Sequence, residues 1–348
     1  MDVFLPPPDE LGIGRWDLWL QIVSASGTVD EQRLLGQFDP DGPRHLVVGY
    51  VEALGVSVYL TESERSLALF VAPAQQHKRV VEVEDARQAY PCYLRELPLV
   101  NDLVLFESFL GKAYAGNPRY IYEELLRSRP DLRCVWAYNG KNLIPGDPQV
   151  VTRGSAEYYK LLAQAKYRVN NIRFPVNGRK DETVYLQTWH GTPLKRLSFD
   201  IEVSGPEVEA RDSLYLESRG WSFLLSENHY SSEILPRAFR YNGKVLEVGY
   251  PLTDVLLDSS IDRDAEVRAL GLPEGKRFIL YAPTWRDNKA IAAWQHEFDL
   301  NLDFALIADG LPADCILLIK AHHLVSEKLD RASLPSNVVD MSHVEDVN

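Results

Sequence analysis

Asp102-Leu103-Val104-Leu105-Phe106-Glu107-Ser108, then residues 119–129, then Leu132-Arg133-Cys134-Val135-Trp136-Ala137 decide the fold. The first run is apolar at four consecutive positions, the pattern of a strand buried on both faces. After Asn117-Pro118 the stretch 119–129 is amphipathic and reads as a helix, with Pro118 near its start, where a missing N–H costs little. The third run is again strand-like. Strand, helix and strand in this order form the building block of a parallel sheet.

Working outward toward the C-terminus, the alternation continues. Val150-Val151 reads as a short strand. Residues 155–166 read as a helix, with Ser155 as N-cap and Tyr158, Leu161, Leu162 and Ala165 at three- and four-residue spacing. Tyr167-Arg168-Val169-Asn170 and Val184-Tyr185-Leu186-Gln187-Thr188-Trp189 read as strands, the second ending at His190-Gly191-Thr192-Pro193. Ser222–Ser226, a helix near 231–239 and residues 244–248 repeat the pattern, and Gly249-Tyr250-Pro251 reads as a crossover. Beyond it come a helix at 265–270, a strand at Arg277–Tyr281 ending in Ala282-Pro283-Thr284-Trp285-Arg286, a helix near 302–308, and a strand at Cys315–Ile319 ending in Lys320-Ala321-His322-His323. Two α/β lobes joined by a short crossover have the outline of a GT-B-like fold.

Working toward the N-terminus, residues 12–95 read as β-rich, with short strands every 10–12 residues. The expected strands include Arg15–Ile22, residues 46–51, 56–60 and 67–71, and Arg79-Val80-Val81-Glu82-Val83. The expected organisation is a sandwich-like accessory domain over 1–100, a Rossmann-like lobe over 101–250 and a second lobe over 251–348. Met1-Asp2-Val3-Phe4-Leu5-Pro6-Pro7-Pro8 reads as a linker.

The net charge of −13 argues against a nucleic-acid partner. Charge is uneven: residues 1–100 hold 15 acids and 8 bases, whereas 166–196 hold seven bases and two acids. That basic segment is either an anion site or a solvated face. Cys92, Cys134 and Cys315 form no ligand spacing, and the expectation is free thiols in a reducing cytoplasm. No apolar run is long enough for a membrane span, and no signal peptide is expected. There is no P-loop, GxGxxG, HExxH or acidic metal pair, so no metal and no cofactor are expected.

In open α/β sheets ligands bind outside the carboxyl ends of the strands. Trp189-His190-Gly191-Thr192, Thr284-Trp285-Arg286 and Lys320-Ala321-His322-His323 all fall there. His190 is either a general base or a ring packed against Trp189. Arg286 and Lys320 suit phosphate oxygens, His322 suits the same phosphates or a leaving group, and Thr284 either contacts a ligand or caps a turn.

Thr188-Trp189-His190-Gly191-Thr192-Pro193-Leu194-Lys195 resembles the hallmark of the CDP-glycerol glycerophosphotransferases, which make teichoic-acid and capsule polymers. Phe106–Lys112 with Asn117-Pro118-Arg119, residues 158–167, Val248-Gly249-Tyr250-Pro251 with Asp254, residues 281–286 and Lys320-Ala321-His322 are similar too. The resemblance covers residues 102–348 and leaves out 1–100. It implies that the lobe over 101–250 is the acceptor lobe and the lobe over 251–348 the CDP-donor lobe. It also implies His190 as catalytic base, with Thr284, Arg286, Lys320 and His322 at the donor. Gly191, Thr192, Lys195, Ser108 and Lys112 are the expected acceptor contacts. The implied substrates are a CDP-glycerol or CDP-ribitol donor and a lipid-linked or polymeric anionic acceptor, at the inner face of the cell membrane, with CMP released. It also implies a final donor motif after residue 348, so the donor lobe is expected to be incomplete within 251–348. The competing readings are a nucleotide-sugar glycosyltransferase and a non-catalytic polymer-binding scaffold.

Overall fold

The computed structural model describes residues 14–17, 19–23, 29–33, 45–51, 54–60, 67–202, 211–283, 290–292, 295–296, 303–320 and 333–346. The chain begins with strands β1 (Gly14–Asp17), β2 (Trp19–Val23), β3 (Val29–Arg33), β4 (His45–Val51), β5 (Leu54–Leu60) and β6 (Leu67–Pro73). These make a four-stranded antiparallel sheet, ordered β1-β6-β5-β4, and a separate β2–β3 hairpin. Helices α1 (Ala74–Gln88) and α2 (Tyr90–Glu96) follow.

The expected strand at Arg79-Val80-Val81-Glu82-Val83 is therefore helix. Strand β6 already has β1 on one side and β5 on the other, so a segment continuing directly from it cannot fold back to pair with it. The three valines also stand among Ala, Gln, Lys, Arg and Glu, which favour helix. Among the described residues, the sheet is covered by α1 rather than by a second sheet as in a sandwich. The His77 ring stacks on Phe70 with centroids 5.6 Å apart. Both α1 and α2 also pack on the helix at Ala156–Gln164, so contacts run across residue 100.

The large sheet holds β7 (Val100–Glu107), β8 (Arg133–Ala137), β9 (Gln149–Val151), β10 (Ala165–Asn170), β11 (Val184–Gln187), β12 (Phe223–Ser226) and β13 (Lys244–Glu247). Its order is β13-β12-β11-β10-β7-β8-β9, and every pairing is parallel. The helices between them are α3 (Gly116–Ser128), α4 (Ala156–Gln164), α5 (Arg211–Arg219) and α6 (His229–Ala238). Strand β7 feeds two cores by alternation: Leu103 and Leu105 face one, Val104 and Phe106 the other. In the second core Trp136 stacks on Phe106 at 5.2 Å and takes the edge of Tyr122 at 5.6 Å, each such pair worth ~0.5–1.5 kcal/mol beyond burial. Ser155 caps α4 by accepting the Tyr158 N–H, as its position in the sequence suggested.

The chain then passes through α7 (Pro251–Asp254) and α8 (Arg263–Ala269) to β14 (Arg277–Tyr281), β15 (Ala290–Ala292), β16 (Gln295–His296), α9 (Phe304–Gly310), β17 (Cys315–Ile319) and β18 (Val338–Asp340). Strands β14, β17 and β18 form a second parallel sheet, with α9 against it. The architecture is GT-B-like, with two Rossmann-like lobes. The three cysteines are free, and only Cys315 is fully buried.

Candidate active site

Strand β11 ends at Gln187, and the chain turns sharply. Trp189 adopts a left-handed φ of 53°, a conformation that costs a bulky residue ~1–3 kcal/mol. Several bonds hold it. The Trp189 N–H donates to Gln187 Oε1 at 3.0 Å, and Asn117 Nδ2 donates to the Thr188 and Trp189 carbonyls at 3.2 and 3.4 Å. The indole packs on Phe239, with centroids 4.9 Å apart.

That turn carries His190. Its ring lies 4.3 Å from the Trp189 ring and edge-on to Phe109 at 6.2 Å. Nδ1 is 2.7 Å from the Asn171 carbonyl. A carbonyl oxygen only accepts, so Nδ1 carries the proton and Nε2 keeps its lone pair. The residue is open to solvent, although protein packs closely around its ring nitrogens. Burial lowers its pKa from the usual 6.5, and the Asn171 carbonyl opposes this by favouring the cation. The neutral form therefore prevails at neutral pH, which is what a base requires.

The acceptor candidates divide. A Cβ built on Gly191 would meet nothing within 4 Å, so the backbone there is open to approach. Thr192 donates its hydroxyl to Glu227, which follows β12. Tyr250 donates to the Gly191 carbonyl at 3.5 Å. Lys195 is exposed beside a recess of about 430 Å³ lined by Pro193, Leu194, Lys195, Arg196, Tyr230 and Arg237. Lys112 is exposed as well. Ser108 has no accessible surface. Its hydroxyl donates to the Ala115 carbonyl at 2.7 Å and accepts from Asn171 Nδ2 at 3.0 Å, so as placed it braces the loop and offers an acceptor no surface.

The basic segment does not form a free cationic face. Lys166 donates to the Glu182 carbonyl, Arg168 to Gly178, Lys180 to Leu94, and Arg179 to the carbonyls of Lys180, Asp181, Thr183 and Gly220. Four of its seven bases thus tie backbone together, a role that net charge along a sequence cannot distinguish from ligand binding.

Of the donor candidates, Thr284, Arg286 and His322 lie outside the described residues. Lys320 follows β17 and donates its ammonium to the Val344 carbonyl. Burial lowers its pKa, while Asp346 and Glu345 pull it back. Those two carboxylates reach the first lobe. Glu345 accepts from the Tyr114 N–H at 2.6 Å, the Tyr138 hydroxyl at 2.5 Å and Asn142 Nδ2 at 2.7 Å, and Asp346 pairs with Arg119 at 3.1 Å.

A family model described as CDP-glycerol:poly(glycerophosphate) glycerophosphotransferase matches residues 90–348. The chain belongs to this family. It is 37% identical over 256 residues to a teichoic acid poly(glycerol phosphate) polymerase of Staphylococcus epidermidis, covering 70% of this chain and 36% of that protein. It is 36% identical over 261 residues to the polymerase of the same name from Bacillus subtilis, covering 72% and 35%. A teichoic acid glycerol-phosphate transferase of Staphylococcus aureus is 36% identical over 267 residues, covering 73% and 68%. The chain spans about a third of the length of the first two relatives. Among solved structures, the wall teichoic acid polymerase TagF is 35% identical with a TM-score of 0.68, covering 78% of this chain and 69% of that one.

Four groups around the hallmark turn were given no role by the sequence: Asn117 and Tyr250, which lie in stretches resembling the family, and Asn171 and Glu227, which lie in none. Asn117 and Asn171 are fully buried polar side chains. Asn117 also accepts the Leu252 N–H at 3.3 Å, linking the turn to the start of the second lobe. For Asn171 and Glu227 the only available signal was position, since each stands just beyond a strand.

Proposed function

We propose that this chain carries the reaction centre of a polyol-phosphate transferase that moves glycerol phosphate from CDP-glycerol to a hydroxyl of a teichoic-acid-like acceptor. The observation that carries the proposal is the pinned Nδ1 of His190, which leaves Nε2 bare beside the open backbone of Gly191. Nε2 takes the proton of the acceptor hydroxyl, and that oxygen attacks the β-phosphorus of the donor. The bond from β-phosphorus to the bridging oxygen breaks, CMP leaves with that oxygen, and a phosphodiester forms. The phosphoryl charge needs cationic and hydrogen-bonding neighbours. Thr284, Arg286 and His322 are proposed for that part on the family resemblance, whereas the Lys320 ammonium is taken up by the Val344 carbonyl. Glycerol is preferred over ribitol because the poly(glycerol phosphate) polymerases and the glycerol-phosphate transferase are 35–37% identical and the ribitol-phosphate polymerases 27–29%, although a glycerol-phosphate primase is 22% identical. The acceptor is proposed to be a lipid-linked or polymeric anion at the inner face of the cell membrane.

The test is CMP release from CDP-glycerol and from CDP-ribitol by the full-length protein and its His190→Ala variant, with a lipid-linked glycerol-phosphate primer. Turnover of CDP-glycerol that collapses in the variant is expected. Unchanged turnover in His190→Ala rules out the base, and UDP release from a UDP-sugar without CMP release favours a glycosyltransferase.

A further inference from the structure

Asn171 follows β10, and none of its surface is exposed. It joins three segments at once. Its carbonyl receives Nδ1–H of His190 at 2.7 Å, its Oδ1 receives the Phe109 N–H at 2.8 Å, and its Nδ2 donates to Ser108 Oγ at 3.0 Å. The Ser108 hydroxyl passes the chain on to the Ala115 carbonyl at 2.7 Å.

The second of these bonds matters most. Phe109 and Leu110 hold left-handed φ values of 47° and 60°, and such a turn persists only when its surroundings over-determine it. The Phe109 N–H is part-buried and its acceptor is Asn171 Oδ1. The Phe109 ring then stands edge-on to His190, with centroids 6.2 Å apart and planes at 63°. One asparagine thus controls both the hydrogen bond that selects the His190 tautomer and the aromatic wall beside the ring. The geometry needs one acceptor and one donor a fixed distance apart, which a carboxamide supplies and a carboxylate does not.

We propose that Asn171 is the positioning residue for the base: its carbonyl keeps the His190 proton on Nδ1, and its carboxamide locks the Ser108–Phe109 turn against the ring so that Nε2 faces the acceptor hydroxyl. This rests on the reading of His190 as the base. Among the described residues the ring and hydrogen-bond partners of His190 are Phe109, Trp189 and Asn171, none of which titrates. A charge introduced at position 171 sits on the residue whose carbonyl holds Nδ1 and beside the Phe109 turn that borders the ring, so the imidazole senses it through space.

The experiment uses the full-length protein, CDP-glycerol as donor and a lipid-linked glycerol-phosphate primer. Asn171→Ala is expected to lower kcat by about 10- to 100-fold, the cost of a misplaced reacting group, with KM for CDP-glycerol changed by less than about threefold. Asn171→Asp restores the acceptor for Phe109 and is expected to recover part of kcat. Its negative charge raises the imidazole pKa, so the acid limb of kcat/KM moves to higher pH. If Asn171→Ala does not fold, that limb decides, and an unmoved limb overturns the proposal. A third readout needs no variant at this position. The ¹⁵N ring resonances that vanish in His190→Ala are expected to show a protonated Nδ1 and a bare Nε2 in the native protein at neutral pH, and the reverse tautomer overturns the proposal. Full turnover in His190→Ala defeats the base reading itself. An inactive His190→Ala beside Asn171 variants with native kcat and native pH limb defeats only the positioning role.

Discussion

Strands β11 and β17 both lie inside a parallel sheet and are each followed by a basic group, yet the two ends are built differently. At the end of β11, His190 is held through one nitrogen while the other stays bare. At the end of β17, Lys320 is bound to the Val344 carbonyl, beside a carboxylate segment that crosses to the first lobe. The first arrangement leaves a lone pair for chemistry. The second uses a charge to hold the chain. A strand-end position puts a residue where a ligand can bind, and its partners decide whether it is available.

The largest effect that tests this contrast is at His190: His190→Ala is expected to lower CMP release by ~10²–10⁴-fold, the usual contribution of a general base. The same substitution at Lys320 is expected to act on stability, and a raised donor KM with unchanged stability would break the contrast. Next is Glu345→Ala, which leaves the Tyr114 N–H, the Tyr138 hydroxyl and Asn142 without their acceptor. Urea unfolding is expected to show a loss of ~1–3 kcal/mol, chiefly the cost of stranding the part-buried Tyr114 and Tyr138 donors. A change below the error of the fit would show that the segment does not brace the lobes.

The pH dependence sharpens the His190 side. Its folded pKa lies below the ordinary 6.5 because burial disfavours the cation. The base works when neutral, so the rate is full above 6.5 and falls as pH drops through the folded value. The linkage has the same direction. Between 6.5 and the folded pKa the unfolded chain binds a proton that the folded chain refuses, so stability declines as pH falls through that window and is level below it. An acid limb of kcat/KM above 6.5 contradicts this. The smallest effect is expected from the Arg119–Asp346 pair, whose arginine is 30% exposed. A double-mutant cycle should give a coupling of ~0.2–1 kcal/mol, reduced by salt.

Most strands and helices of the two lobes were legible because each is a local pattern, such as four apolar residues in β7 or three- and four-residue spacing in α4 with serine at its cap, whereas α5, α7, β15, β16 and β18 were not anticipated. The valines at 80, 81 and 83 misled because what excludes a strand there is the occupied edges of β6, which lie outside any local window. The hallmark turn was legible in the same local way. What surrounds it was not. Asn171 reaches Phe109 across 62 residues, and Glu345 reaches Tyr114 across 231. Buried Glu107 likewise takes its partners from Arg153, Tyr158 and Asn170, and burial raises its pKa despite them.

Residue order alone was thus enough for the alternation of strands and helices, the strand-end places of His190 and Lys320, and the family hallmark, because periodicity and spacing act over a few residues. Three-dimensional closure decided which nitrogen of His190 is bare, that Ser108 is a brace, that the basic segment ties carbonyls, and that Lys320 is bound by the chain itself. Each of those depends on which distant group satisfies a buried donor or acceptor, and only the packed chain brings such groups within hydrogen-bonding distance.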